Sequence, residues 1–227
     1  MENHLIESLP GEPRSRLLAL CETVSLGRSQ VLHQQGRPAQ HAYFPCGGSI
    51  SLVGRCEGHA DLEVARVGRE GMVGLQFAVG VATSPLGAQV QQAGTARRIA
   101  GGALLQELRA SPQLARGLAG CFVALLAQLG AAAACVRFHL VEPRLARWLL
   151  MSHDHCDTDS FPVTHQAMAS MLGVRRVGVT MAAGALQHRG CIRYHRGELT
   201  VIDRRGLEAA ACSCYASDRH ACAGCMG

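Results

Sequence analysis

The chain has 227 residues, of which 48% are hydrophobic, 17% charged and only 4% aromatic. That length makes one large domain or two small ones, and the balance excludes disordered, collagenous and coiled-coil rod classes. The net charge is +5, with 22 arginines and no lysine, and residues 2–16 carry Glu2, Glu7, Glu12, Arg14 and Arg16 where a signal peptide needs an apolar centre. No stretch approaches ~18 uninterrupted apolar residues, so the expected location is the cytoplasm, with no membrane partner.

Residues 23–99 read as short extended runs broken by glycine. Gln30-Val-Leu-His33, Ser49-Ile-Ser-Leu-Val53, residues 61–67, residues 89–91 and residues 95–99 are the predicted strands, with turns at Gly36, Gly48, Gly58, Gly68 and Gly94. This spacing predicts an antiparallel barrel or sandwich. After Gly102 the period becomes helical. A short helix over 103–110 ends at Ser111-Pro112, and Pro112 opens a second one through residue 137. Leu114, Leu118, Cys121, Leu125 and Leu129 recur at three- or four-residue steps, widened by Phe122 and Leu126. Such a stripe is more than one domain covers, which predicts a homodimer held by these residues; a long core helix is the plainer alternative.

A further amphipathic helix is expected to residue 152, with Leu140, Leu145, Trp148 and Leu149 facing in and Glu142, Arg144 and Arg147 facing out. The polar link that follows contains His153, Asp154, His155, Cys156, Asp157 and Asp159, read as a solvated connection rather than a metal cluster.

Thr164 is placed to cap a helix through Leu172, Gly173-Val174 makes a tight turn, and a second helix runs from Arg175 to about His188. Met168, Ala169, Leu172, Val179 and Ala182 supply the contacts between the two. Residues 191–196 and 198–202 form two alternating strands around Gly197, a wing. Residues 160–206 hold seven arginines against two acids, so the whole charge excess sits here. A winged helix-turn-helix with that charge predicts double-stranded DNA as partner. Arg175, Arg176, Val179 and Thr180 are the candidate base-reading residues, with Thr164, Arg189, Arg193 and Arg196 as neighbours of the backbone.

The tail, residues 212–227, carries Cys212, Cys214, Cys222 and Cys225, which can hold zinc or an iron–sulfur cluster or form disulfides; a frayed, reduced tail is the expected state. A metalloenzyme of the cupin kind would need His41, His59 and Glu63 together, yet residues 58–63 supply one histidine. No G-x-S-x-G or P-loop occurs, so no enzyme is expected.

In order, Ala42-Tyr-Phe-Pro45, Gly48-Ser-Ile-Ser-Leu52, Val67-Gly-Arg-Glu-Gly-Met-Val-Gly74, Arg144-Leu-Ala-Arg-Trp-Leu-Leu150, Met171-Leu-Gly-Val-Arg-Arg176, Val179-Thr180 and Arg196-Gly197 resemble the Crp/Fnr superfamily of bacterial transcription regulators over nearly the full length. The resemblance implies an α+β protein. Its parts are a cyclic-nucleotide-binding-like β-roll sensor at 1–111, a dimerisation helix at 112–137, a winged helix-turn-helix at 138–211 and the Cys-rich tail at 212–227. It also implies a homodimer on a palindromic operator, with RNA polymerase as a further partner and a hinge near Phe138-His139. Where cyclic-AMP-binding members grip the phosphate with an Arg-Ser pair, residues 82–87 read Ala-Thr-Ser-Pro-Leu-Gly. An unpaired phosphate there would cost several kcal/mol, so cyclic AMP is not the expected effector, and no cofactor is assigned. The oxygen-sensing members' N-terminal cysteines are not matched either, since only Cys21 precedes residue 46. Val177 stands where many members have Glu. A metal- or redox-responsive regulator built on the tail cysteines is the alternative expectation.

Overall fold

Glycine-punctuated alternation in the first hundred residues becomes seven strands behind two short helices. The computed structural model describes residues 2–156 and 158–224, with side chains through His220. Helices α1 (His4–Glu7) and α2 (Gly11–Ala19) precede β1 (Glu22–Leu26), β2 (Val31–His33), β3 (His41–Pro45), β4 (Ser49–Gly54), β5 (Leu62–Val67), a 3-10 turn (Leu75–Val79), β6 (Gly87–Gln92) and β7 (Gly94–Ala100). They form two antiparallel sheets, ordered β1-β7-β3 and β2-β6-β4-β5. β1 and β3 were not among the predicted strands, because in Glu22–Leu26 only Leu26 is buried and in His41–Pro45 four consecutive residues are buried, so neither run alternates. Asn3 is fully buried: its side chain caps α1 and donates to Pro45 O (3.0 Å) and Gly71 O (2.9 Å), which ties the N-terminal segment to the roll.

Helices α3 (Gly101–Ala110) and α4 (Pro112–Phe138) follow. Ser111 Oγ accepts from Leu114 N at 3.2 Å and Pro112 occupies the first turn, so α4 starts where cap and proline put it. Its 27 residues make a rod of about 40 Å. Leu114, Leu118 and Cys121, predicted to meet a second copy, are instead at most 4% exposed and belong to the core between α4, the 3-10 turn and the N-terminal helices. Leu125 also packs inward, and Leu129 is only half-exposed. The strongest apolar stripe pointed into its own chain because leucines contribute most where burial is complete. The outward face is Ala119, Val123, Leu126, Ala127, Gly130 and Ala133, with Val123 69% and Leu126 66% exposed. An 18-residue window of α4 reaches a mean hydropathy of 2.0, enough by length and composition to cross a membrane, because the helix is apolar on both sides.

The C-terminal part comprises α5 (Val141–His153), β8 (Ser160–Pro162), α6 (His165–Leu172), α7 (Arg176–His188), β9 (Ile192–His195), β10 (Glu198–Val201), α8 (Arg204–Ala210) and α9 (Cys214–Gly224). Its own core runs from Leu145 and Leu149 through Met168, Val179 and Leu186 to Leu199 and Leu207. α5 does not have the polarity expected of it: Leu140 is 80% exposed, whereas Arg144 is buried and its Nη2 donates to Leu172 O. The tail is not frayed over its described residues, since α9 packs against α4 and α5 and Arg147 Nε pairs with Asp218 at 2.6 Å.

A buried ion pair joins the two halves. Arg66 of β5 is fully buried and grips Glu63 through two parallel bonds of 3.0 Å, while its Nη1 donates to Ser152 Oγ of α5 at 2.6 Å. Trp148 Nε1 and Ser51 Oγ complete the Glu63 carboxylate, and Gln128 of α4 accepts the Arg66 amide. Glu63 is thus committed to Arg66. His59 is exposed and His41 lies in the other sheet, so the three groups of the metalloenzyme reading are not brought together.

Candidate nucleic-acid interface

Thr164 Oγ1 accepts from Ala167 N at 3.1 Å and starts α6; the chain leaves that helix through Gly173. Gly173 has φ 62°, and its N–H and that of Val174 return to Ser170 O and Ala169 O, a left-handed cap that a side chain would disfavour. α7 then begins at Arg176, with Arg175 as its extended N-cap, one residue later than expected. Val179, Ala182, Ala183 and Leu186 turn inward, so that Arg176, Val177, Thr180, Met181, Gly184 and His188 share the outer side, Gly184 included.

The wing is three-stranded, β8-β10-β9, and its tip is Arg196-Gly197 with φ 49° and 84°. Two positive φ values at a two-residue loop are those of a type I′ turn, whose twist matches the strands it joins. The wing is locked to the helices. His165 stacks on Tyr194 with centroids 4.4 Å apart, and Gln187 Oε1 accepts from Tyr194 N at 2.9 Å. His165 Nδ1 lies 3.0 Å from Thr180 Oγ1; burial, then the charge of Arg176, lowers its basicity.

Of the predicted residues, Arg175, Arg176, Thr180, Arg193 and Arg196 are exposed around this surface. Val179 is not available to bases, being 0% exposed between α6 and α7. Thr164 is spent on its cap. Arg189 is paired with Glu142 at 3.0 Å, which neutralises it. Val177 and Met181, 63% and 73% exposed, lie on the same surface and were not among the predicted residues. The spacing 177, 180, 181 and 184 on one helical face was the available signal.

In the β-roll, a cavity of about 290 Å³ opens between the β2-β6-β4-β5 sheet, the 3-10 turn and α4. Its walls are mostly apolar, including Leu52, Met72, Leu86, Phe122 and Leu125, and no arginine lines it. The polar groups are few. His33 Nε2 lies 2.8 Å from His41 O, its Nδ1 faces Ser84 Oγ at 3.4 Å, and burial holds the ring's basicity down. Gln76 is buried, and its Nε2 has no hydrogen-bond partner among the described residues.

Residues 143–210 match the model of the Crp-like helix-turn-helix domain. The C-terminal unit belongs to that family. Among solved structures, the chain is similar to FixK2 from Bradyrhizobium japonicum, with 15% identity, a TM-score of 0.71, and 85% of this chain and 98% of that one covered. It is also similar to a CRP/FNR-family transcriptional regulator from Thermus thermophilus (22%, TM-score 0.65, 84% and 98% covered). A third is CLP from Xanthomonas campestris, a c-di-GMP-responsive global regulator (19%, TM-score 0.66, 83% and 97% covered). No curated protein matches by sequence. The fold is that of Crp/Fnr regulators, as the sequence resemblance implied: antiparallel sheets, a long helix and the Crp-like domain, an α+β architecture. Within the Crp-like domain the buried contacts cluster on one side of α7 and the exposed Arg175 and Arg176 stand at its other side, the division a groove-reading helix requires.

Proposed function

We propose that the protein is a homodimeric, cytoplasmic transcription regulator that reads a palindromic operator with α7 and answers to an effector in its β-roll. The observation that carries this is the outer face of α7: Arg175 and Arg176 at its N-terminal end, Val177, Thr180 and Met181 along it, and Arg196 on the adjoining wing. Guanidinium groups suit guanine edges and phosphate, and exposed apolar side chains suit thymine methyls. RNA polymerase is the partner such a regulator would act on, and no catalytic role is assigned.

The second copy fits the outer face of α4. Ala119, Val123, Leu126, Gly130 and Ala133 step by four and three residues, the seam of a paired helix, and the small residues let two backbones approach. The effector is an uncharged, mostly apolar molecule. A cyclic nucleotide, or the cyclic dinucleotide to which CLP responds, would bring phosphate to a cavity lined by no arginine. Phe122 and Leu125 line that cavity from one side of α4 while Val123 and Leu126 stand on the other, so a ligand that moves the helix alters the dimer contact.

Enrichment of random duplexes on the purified protein should yield one palindromic site. On it, Arg176→Ala should cost about 1–3 kcal/mol and relax base preference at one position per half-site. Arg196→Ala should weaken all duplexes about equally and lower the salt slope by about one. Full sequence preference in the Arg176 variant, with loss in Arg175→Ala, would shift the reading by one residue. Enrichment of no sequence would refute the proposal. Titration calorimetry with cyclic AMP should show no micromolar binding.

A further inference from the structure

The C-terminal end of α4 meets the link between α8 and α9 in a cluster of three thiols and one imidazole. Cys135 lies on the last turn of α4 and His139 caps that helix, so their spacing of four puts both on one face. The chain reversal after α8 brings Cys212 and Cys214 against them, 77 and 75 residues on from their nearest partners in the cluster. The four donor atoms lie within 4.8 Å of one another. Cys135 Sγ is 3.6 Å from Cys212 Sγ, and Cys214 Sγ is 3.6 Å from His139 Nδ1. Around a tetrahedral zinc ion, sulfur–sulfur separations are ~3.8 Å and sulfur–nitrogen separations ~3.6 Å, given the usual bond lengths. A disulfide would require ~2.05 Å.

The surroundings suit a thiolate-bound dication. All three cysteines are buried and His139 half-buried, which makes a closed set of four ligands. Three thiolates and a dication leave one negative charge, and the inward-turned Arg144 and Arg147 of α5 oppose it.

We propose that Cys135, His139, Cys212 and Cys214 are the ligands of a structural zinc ion that clamps the end of α4 to the C-terminal segment. Sulfur-rich, closed and four-coordinate is the donor set of structural zinc, and binding expels the thiol protons to solvent. This differs from the tail set expected from spacing: Cys212 and Cys214 take part, whereas Cys225 and the side chain of Cys222 lie outside the described residues. Arg144 lines the same crevice as Cys135 and donates to Leu172 O in the last turn of α6, so the clamp also seats the helix pair. The site stands whether or not the DNA-binding reading holds.

The full chain, purified anaerobically under reducing conditions, should hold one zinc per chain by elemental analysis. After chelation, cobalt(II) should restore the intense visible bands of a tetrahedral site and sulfur-to-cobalt charge transfer. Cys135→Ser should abolish both signals. Since that change in a buried cluster can unfold the chain, His139→Ala at a half-exposed position is the second variant; it should weaken cobalt binding roughly tenfold or more while keeping charge transfer. Cys56→Ser and the Cys222→Ser/Cys225→Ser double variant should bind as the parent does. The proposal is overturned by a reduced full chain that carries no zinc and gives no cobalt bands, by iron in place of zinc, or by metal lost from the Cys222/Cys225 variant and kept by Cys135→Ser.

Discussion

Replacing Glu63 by Ala should lower the unfolding free energy by about 3–5 kcal/mol, because it strands the Arg66 guanidinium at a site with no solvent access. For a chain of this length that corresponds to a fall in melting temperature of roughly 10 °C. The loss reaches beyond β5. Ser51 and Trp148 both donate to Glu63, and Arg66 also holds Ser152, so the joint between the roll and α5 loses its central contacts together. Glu63→Leu combined with Arg66→Met should recover much of the stability, since removing both charges leaves nothing desolvated and unpaired. Chemical denaturation of the two single variants and the double variant measures this. A cost below about 1 kcal/mol for Glu63→Ala, the range of an exposed pair, would show that the pair is hydrated in solution.

Leu126→Glu should make the protein monomeric in sedimentation experiments and reduce affinity for the palindromic site by about 10²-fold or more. Each half-site would then be bound without the effective concentration that a linked partner supplies. The residue is chosen for its exposure: Leu126 stands on the outer face of α4, so the new carboxylate is solvated in the monomer and costly only in the paired helix. Leu125→Glu, one position away, should behave differently. Its carboxylate would enter the β-roll cavity and the adjoining core, where it destabilises the fold rather than separating copies. An unchanged dimer in Leu126→Glu, or a folded monomer in Leu125→Glu, would reverse the two faces of the helix.

Many element boundaries were legible locally. Pro112 after Ser111 marks the start of α4, Thr164 and Gly173 bracket α6, and Arg196-Gly197 turns the wing hairpin. In each case the signal is a cap, a fixed φ or a positive φ, and each acts within a few residues. The clustering of arginine was legible for the same reason, since charge is counted along the chain, and with the motif it marked the candidate interface. The β-roll was readable from glycine spacing and resemblance, except that β1 and β3 were not predicted as strands: β1 is mostly exposed, β3 is buried at four consecutive positions, and neither carries an alternating period.

Only the tertiary structure decided which face of α4 is inside, because that helix is apolar all round and its periodicity supports two stripes. It also turned Arg144 and Arg147 inward: a charged side chain reads as exposed until a partner distant in sequence is there to satisfy it, and Leu172 O and Asp218 are such partners. Val179 shows the same limit at the interface, since one residue of helix phase separates a base contact from a core contact. The thiol cluster was beyond local reading for a stronger reason. Cys135 and His139 sit more than seventy residues before Cys212 and Cys214, and their approach depends on where α5, α8 and α9 pack. Local conformation follows from short-range sterics and hydrogen bonds, which the sequence determines residue by residue; burial and pairing follow from long-range packing, which exists only once the chain has closed.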